Sequence, residues 1–246
     1  MRSVSLGATS RAQFFCILVA GICVCGAVTQ ATEYCVKDPG IAAVDLAAPV
    51  DQNFLNQMRI IGINTIIRYY DHSDETLPGK TLTRTERDFI LGNGFKIAVV
   101  FQHHNDKMTS FTRFRGRTDA ERALALAMAN NQQPGSAIYF GVDGPWRGDY
   151  ELTNIMDYFR EVKARLAGAS YRVGVYGSGL VCEMLLANAL ADLCWLAAPD
   201  SWPQYLEYYA TKKWGLAQLP TTRCGGRSVD FNQVNGVGAD YGQFGY

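Results

Sequence analysis

One run near the middle of the chain, Ala137-Ile138-Tyr139-Phe140-Gly141-Val142-Asp143, decides the fold. Its apolar and small residues continue without a break and end on a carboxylate. Such a run is typical of a strand buried on both faces, as in a parallel sheet covered by helices. Gly144-Pro145 ends it. Asp143 should therefore lie at the carboxyl end of a buried strand, where α/β folds bind ligands. The alternative is that Asp143 only caps the following turn.

The rest of the chain repeats this pattern. Runs with strand character cover 40–45, 65–70, 96–102, 137–143, 171–176, 194–198, 214–219 and 228–232. Helical patterns at 51–61, 83–92, 118–131, 151–167 and 180–191 follow the first five runs in turn. This alternation predicts parallel strands with right-handed crossovers. We expect an α/β fold, a TIM-like barrel of eight strands whose last three lack full helices; an open doubly wound sheet is the alternative.

Both ends of the chain differ from this core. Residues 1–31 begin with Arg2 and Arg11 and continue into the apolar segment 14–28, which predicts a secretory signal peptide. We expect that segment to be an apolar helix apart from the barrel, and residues 32–246 to be a single barrel domain. The last dozen residues are rich in glycine and predict a loosely held tail.

Charge and motifs exclude several classes of protein. Without residues 1–31 the chain holds 21 basic and 23 acidic residues, a net charge of −2, whereas nucleic-acid binding requires a basic face. No GxGxxG or GxxxxGK[ST] motif follows the first strand, so nucleotide-binding folds are disfavoured. No second segment is apolar enough to span a membrane. We expect no cofactor, no nucleic acid partner and no membrane association after signal cleavage; the oligomeric state is left open.

Four cysteines remain after residue 31: Cys35, Cys182, Cys194 and Cys224. An even number in an oxidising compartment predicts up to two disulfides, and three connectivities are possible. The order of the strands favours Cys35–Cys194 and Cys182–Cys224, because each of these pairs is expected at one end of the barrel.

The predicted strand ends collect polar and aromatic residues. They are Asp45, Tyr69, Tyr70, Gln102, His103, Asp143, Tyr176, Gln218 and Asp230. Aromatic faces stack on sugar rings, amides and acids bind pairs of hydroxyls, and two carboxyl groups can break a glycosidic bond. His103 and His104 are not expected to share a metal, because adjacent residues of a strand point to opposite faces. Core and rim packing is the alternative role for the aromatic residues.

Five short motifs, in this order, resemble one known family. They are 40–45, 139–143, 173–177 (Val-Gly-Val-Tyr-Gly), 195–197 (Trp-Leu-Ala), and 214–218 followed by 229–232. Together they resemble the glycoside-hydrolase-like domain of secreted bacterial proteins, which is similar to the Chalaropsis-type lysozymes of glycoside hydrolase family 25. The resemblance covers the chain from about residue 40 to 232.

The resemblance implies a (β/α) barrel and cleavage of a peptidoglycan-like β-glycan. It implies Asp45, Asp143 and Asp230 as the catalytic carboxylates, with Asp143 at the first acid of the family's Asp-x-Glu, and Tyr176 as a site tyrosine. One position departs from the family: the lysozymes place the proton donor two residues after Asp143, where this chain has Pro145.

Two hypotheses follow. The first is an exported glycoside hydrolase, secreted or periplasmic, that acts on a peptidoglycan or related amino-sugar polymer, with Asp143 as general acid. Its substrate would contact Tyr69, Tyr70, Gln102, His103, Tyr176, Trp195 and Gln218. The second is a catalytically inactive barrel that only binds glycan.

Overall fold

The computed structural model describes residues 35, 40–73, 77–236 and 238–245, and the backbone of 13–19 and 22–28. The strands are β1 Gln13–Val19, β2 Ile22–Val28, β3 Ile41–Asp45, β4 Thr65–Tyr70, β5 Lys96–Phe101, β6 Ala137–Gly141, β7 Arg172–Gly177, β8 Leu193–Leu196, β9 Leu216–Gln218, β10 Thr222–Cys224 and β11 Arg227–Val234. The helices are α1 Gln52–Ile60, α2 Arg84–Gly92, α3 Arg113–Ala129, α4 Asp149–Leu166, α5 Gly179–Ala187 and α6 Tyr205–Thr211, with a 3-10 turn at Met108–Ser110.

Eight strands close into a barrel. Their order is β3-β4-β5-β6-β7-β8-β9-β11, and β11 pairs back onto β3. Seven of the strands run parallel, and the first five carry helices α1 to α5 as predicted. Only the seven-residue α6 lies between β8 and β9, so the last part of the barrel lacks full helices. The predicted TIM-like barrel is confirmed.

The predicted direction of β11 is wrong, because this strand is antiparallel to both of its neighbours. A parallel pair needs a crossover of a dozen or more residues. Only residues 219–226 separate β9 from β11, and they contain the short strand β10, which pairs with β11 as a hairpin. The chain therefore turns back at the rim and descends through the last position of the barrel.

Successive side chains of each strand point to opposite faces, so the barrel has an apolar layer inside it and another between its strands and the helices. In β6, Ala137 and Tyr139 face the barrel interior, while Ile138 and Phe140 pack against the helices. Both faces are buried, which explains why this stretch is a continuous apolar run rather than an alternating one. Side-chain caps start most helices, for example Asp51 Oδ1, which accepts a hydrogen bond from the Phe54 N–H at 2.8 Å.

The glycine-rich end of the chain is not a loose tail, contrary to the prediction. Tyr241 and Phe244 are buried, and Phe244 pairs with Ile97 through two backbone hydrogen bonds of 2.8 Å. Gly242 has a left-handed backbone with a φ of +85°, and a Cβ there would lie 2.3 Å from the Cβ of Ala137. The glycine thus permits close contact with β6, and the segment closes the amino end of the barrel.

The disulfides also differ from the predicted pairing. Cys35 is bonded to Cys224 and Cys182 to Cys194, with Cα–Cα distances of 5.1 and 5.6 Å. Helix α5 packs directly on β8, which brings Cys182 to its near neighbour in sequence. Cys182 is the fourth residue of α5 and Cys194 the second of β8, so the bond joins the helix to the strand that follows it in the chain.

Strands β1 and β2 pair antiparallel in a two-stranded sheet of their own. The prediction of an apolar helix within residues 14–28 is therefore wrong. The signal peptide itself stays a prediction, and most of residues 1–31 lie outside the described part of the chain. Among the described residues, no helix is long and apolar enough to cross a membrane.

Candidate active site

The carboxyl ends of the parallel strands meet at one rim of the barrel. Asp45 ends β3, Tyr69 lies near the end of β4, and Asp143 follows β6 by two residues. Asp230 reaches the same rim from the descending strand β11, where it pairs directly with Asp45. The rim of parallel strand ends is where barrel enzymes hold their catalytic groups.

A cavity of about 280 Å³ opens at this rim. Asp143 and Asp230 line it, together with the rings of Tyr69, Tyr176 and Trp202. Gln102 and Gln218 add amide groups to its wall. With Trp195, which also lines it, the cavity combines two carboxyl groups, four aromatic rings and two amides, the set that binds and cleaves sugars.

Asp45 lies beneath this cavity with 1% of its surface exposed. Asn232 Nδ2 donates to its Oδ2 at 2.7 Å, and the Tyr69 hydroxyl donates to its Oδ1 at 3.2 Å. Gln218 Nε2 contacts both oxygens at 3.3 and 3.2 Å, and it also lies 3.2 Å from Asp230 Oδ2. One amide therefore bridges the two carboxyl groups.

The protonation of Asp45 reflects two opposing effects. Burial and the neighbouring Asp230 carboxylate raise the pKa of Asp45 to about 7, against the three hydrogen bonds that favour its charged form. Burial also raises the pKa of Asp230. The pair therefore carries less than two full charges near neutral pH, since two adjacent carboxylates resist double ionisation.

Asp143 lines the same cavity and is held by two hydrogen bonds. Gln102 Nε2 donates to its Oδ2 at 3.1 Å, and the Asp143 N–H donates to the Asn105 carbonyl at 2.9 Å. Burial and then Asp106 raise the pKa of Asp143, while Gln102 and Lys80 act in the opposite direction. The side chain is thus fixed in place and keeps its proton to a higher pH than an ordinary aspartic acid.

A second cavity of about 330 Å³ lies beside the first. The two share Tyr69, Gln102 and Asp143, and the second adds Lys80, His104 and Asp106, among other residues. Asp143 consequently borders both cavities.

Lys80 belongs to the site although no sequence motif points to it. Its ammonium group donates to the Gln102 carbonyl at 2.8 Å, lies 3.4 Å from Asp71 Oδ2, and stands 5.1 Å from the centre of the Tyr69 ring. Asp71 in turn contacts His103 Nδ1 at 2.5 Å. Asp71 and Lys80 both lie in the loop between β4 and α2, and Lys80 reaches the site only because this loop packs against Gln102 at the end of β5.

A buried ion pair between Arg68 and Glu86 fixes the loops that follow β3 and β4. The Arg68 Nε donates to Glu86 Oε1 at 2.8 Å, and its other nitrogens donate to the carbonyls of Leu46 and Gly79 at 2.6 and 2.8 Å. Leu46 follows Asp45 and Gly79 precedes Lys80. Arg68 therefore holds the two loops that enter the rim from β3 and β4.

Most of the predicted site residues meet at the rim. Besides Asp45, which lies beneath the first cavity, two of them line neither cavity. Tyr70 is fully buried between barrel and helices, where its hydroxyl donates to Gln132 Oε1 at 3.1 Å. His103 pairs with Asp71 behind the second cavity. Trp195 faces the barrel interior and the floor of the first cavity, and its Nε1 donates to Asn232 Oδ1 at 2.7 Å.

Position 145 is where the family 25 lysozymes carry their proton donor. Pro145 is exposed and has no proton to donate, and the next residue, Trp146, packs its ring against Phe111 at 6.1 Å between centroids. No carboxyl group follows Asp143 at the spacing of the family 25 lysozymes. Among the described residues, no group of three or more His, Cys, Asp or Glu side chains could hold a metal ion.

The barrel and its acidic, aromatic rim define a glycoside-hydrolase-like domain. Comparison with protein families gives the more specific assignment: residues 56–244 match the Rv2525c-like, glycoside hydrolase-like domain, and the chain belongs to this family. The resemblance recognised from the sequence motifs is confirmed.

Curated relatives of the chain include two Bacillus subtilis proteins, both described as uncharacterized. FadG is 22% identical over 190 residues, which cover 76% of this chain and 33% of FadG. YbfG is 27% identical over 215 residues, which cover 82% of this chain and 29% of YbfG. The chain thus spans about a third of the length of these relatives.

Solved structures agree on the fold. The Tat-secreted protein Rv2525c of Mycobacterium tuberculosis is 23% identical with a TM-score of 0.68, over 82% of this chain and 98% of Rv2525c. A family 25 glycosyl hydrolase from Bacillus anthracis is 10% identical with a TM-score of 0.52, over 85% of this chain and 96% of the hydrolase. At these identities the comparison concerns the fold alone.

Proposed function

We propose that this protein is an exported glycoside hydrolase that cleaves a peptidoglycan-like glycan of the cell wall. The observation that carries the proposal is the cavity in which Asp143 and Asp230 face a shared space walled by Tyr69, Tyr176 and Trp202. A sugar ring there would stack on an aromatic face and place its glycosidic oxygen near Asp143.

In this proposal Asp143 is the general acid. Its raised pKa keeps the proton available at a higher pH than an ordinary aspartic acid allows, which proton donation to a leaving group requires. Because position 145 is a proline, the group that donates the proton in the lysozymes has no counterpart there. Asp143 already borders both cavities and can take over that role.

The substrate of this proposal is an amino sugar, and its own 2-acetamido group acts as the nucleophile. As the glycosidic bond breaks, the Asp143 proton moves to the leaving oxygen and the acetamido oxygen bonds to the anomeric carbon. The Asp143 carboxylate then removes a proton from the water that attacks this carbon and releases the acetamide. The ionised Asp230, with Asp45 behind it, stabilises the positive charge that develops on the sugar.

Export is part of the same proposal. The apolar segment 14–28 follows two arginines, and the chain contains two disulfides, which persist in oxidising compartments. The family relative Rv2525c is described as Tat-secreted. These features support a secreted or periplasmic protein that meets its glycan outside the cytoplasm.

A second candidate function is favoured by Pro145. A barrel that has lost the proton donor two residues after Asp143 would keep the aromatic cavity and bind glycan without cleaving it. In that case Asp143 and Asp230 would only accept hydrogen bonds from sugar hydroxyls.

One substitution tests both. Asp143→Asn keeps the shape of the side chain but removes the ionisable proton, so turnover of peptidoglycan and chitin fragments, followed by mass spectrometry, should fall ~10²–10⁴-fold with little change in affinity. Asp88→Asn, an exposed change on α2, is the matched control and should leave turnover unchanged. Wild-type protein that binds these fragments without cleaving them would establish the binding function, and normal turnover in Asp143→Asn would exclude Asp143 as the acid.

A further inference from the structure

His104 has an unusual backbone conformation for its place in the fold. Among the described residues, six that are not glycine have a positive φ: His104, Asn131, Ser170, Ala189, Gln204 and Lys212. Five of these lie within four residues of the end of an α-helix, and four of the five follow its last residue, where a left-handed residue commonly ends the helix. His104, with a φ of 53°, lies instead in the loop after β5, beside the second cavity.

The neighbouring contacts hold His104 in this conformation. Asn105 is buried, and its side chain accepts from the His103 N–H at 2.8 Å and donates to the Gly141 carbonyl at 2.8 Å. The Asn105 carbonyl accepts from the Asp143 N–H at 2.9 Å, and the Ser110 hydroxyl donates to the His104 carbonyl. The loop is therefore fixed to the backbone of Asp143.

The imidazole of His104 remains open to the second cavity. It lies edge-on to His103, with 4.6 Å between ring centroids, and its two nitrogens make no hydrogen bond within the described part of the chain. A left-handed backbone is costly for a residue with a side chain, and such conformations concentrate at functional sites. Glycine would adopt this backbone without the cost, although histidine adopts it more often than most residues do. The observation that points to a ligand is that the ring lines the second cavity with both nitrogens available for hydrogen bonds.

We propose that His104 is a substrate-contacting residue, which hydrogen-bonds through its imidazole to the sugar that occupies the second cavity. This sugar would also meet Tyr69, Gln102 and Asp143, the residues that line both cavities. The inference rests on the proposed function and extends it. The protein binds at least two consecutive sugar rings, one in each cavity, and His104 strengthens binding of the ring in the second cavity.

The test is the affinity of purified protein for N-acetylglucosamine oligosaccharides of two to six rings, measured by calorimetry, with KM and kcat wherever turnover is found. His104→Gly should weaken binding of the longer oligosaccharides about 5- to 10-fold, the effect of one lost hydrogen bond, and raise KM with little change in kcat. His104→Asn, which tolerates the left-handed backbone and keeps a donor and an acceptor, should recover part of this loss.

Ala189→Gly is the matched control, because it relieves the same kind of backbone strain at an exposed position after α5. Neither glycine variant should lower the melting temperature. Unchanged affinity in His104→Gly, beside a wild type that binds or cleaves the oligosaccharides, would overturn the inference alone. A wild type with neither affinity nor turnover for any glycan fragment would overturn it together with the proposed function.

Discussion

At the scale of single residues, Asn232 is the group on which the buried part of the site depends. It is completely buried, donates to Asp45 Oδ2 at 2.7 Å and accepts from Trp195 Nε1 at 2.7 Å. The amide thus satisfies one polar atom of the rim and one of the barrel interior. A buried polar atom left without a partner costs more free energy than the hydrogen bond contributed.

Asn232→Leu should therefore destabilise the protein. The change roughly keeps the volume of the side chain but deprives Trp195 of its acceptor and Asp45 of its shortest hydrogen bond, so the free energy of unfolding should fall by ~2–4 kcal/mol in urea denaturation. Asn53→Leu, on the exposed face of α1, is the control and should change it by less than ~0.5 kcal/mol. Equal stability of the two variants would contradict this role for Asn232.

The sequence predicted which polar residues lie at strand ends, but it did not predict which of them face the cavity. Tyr69 and Tyr70 are adjacent, and the alternation of a strand allows only one of them to face the cavity. Because both residues are tyrosines, the sequence did not distinguish them. Lys80 and Asn232 were missed because the partners Gln102 and Asp45 are distant in sequence, and only the folded barrel brings them together.

At the scale of elements, the apolar runs located every barrel strand, since a strand buried on both faces leaves a continuous signal. The direction of β11 depends on the length of a link, and the disulfide pairing depends on which helix packs on which strand. Neither property follows from the local pattern. The prediction for the closing segment 239–245 was wrong because glycine there serves close packing rather than mobility.

The contact between α3 and α4 yields a prediction at this scale. A Cβ on Gly116 would lie 2.4 Å from the backbone oxygen of Tyr158, so Gly116→Ala must push the two helices apart. Because backbone cannot rotate away as a side chain can, we expect the free energy of unfolding to fall by ~1–3 kcal/mol, measured by urea denaturation.

Gly92→Ala is the control for this change. Gly92 ends α2 without a positive φ, and a Cβ there would meet open space, so alanine should stabilise the helix by ~0.5–1 kcal/mol. A neutral Gly116→Ala would show that the two helices are less closely packed than the structure indicates.

At the scale of the whole molecule, the buried acids of the rim should control how stability depends on pH. In the folded protein the pKa of Asp45 is about 7, whereas in the unfolded chain it returns to 3.8. Between these values the folded state binds the extra proton, so the free energy of unfolding falls as the pH rises. The contribution of Asp45 is fully present below pH 3.8 and is lost as the pH passes through about 7. The raised pKa values of Asp143 and Asp230 act in the same direction.

Urea denaturation at pH values of about 4.5, 6 and 8 should therefore show stability decreasing, with Asp45 alone contributing up to ~1.4 kcal/mol per pH unit in this window. Asp45→Asn removes the titrating group while its amide oxygen can still accept from Asn232, so the variant should have a distinctly shallower dependence. Asp51, Asp157 and Asp240, whose pKa values are lowered, contribute the opposite slope only at more acidic pH. If the stability of wild type and Asp45→Asn depended equally on pH across this window, the titration of buried Asp45 would not explain the pH dependence.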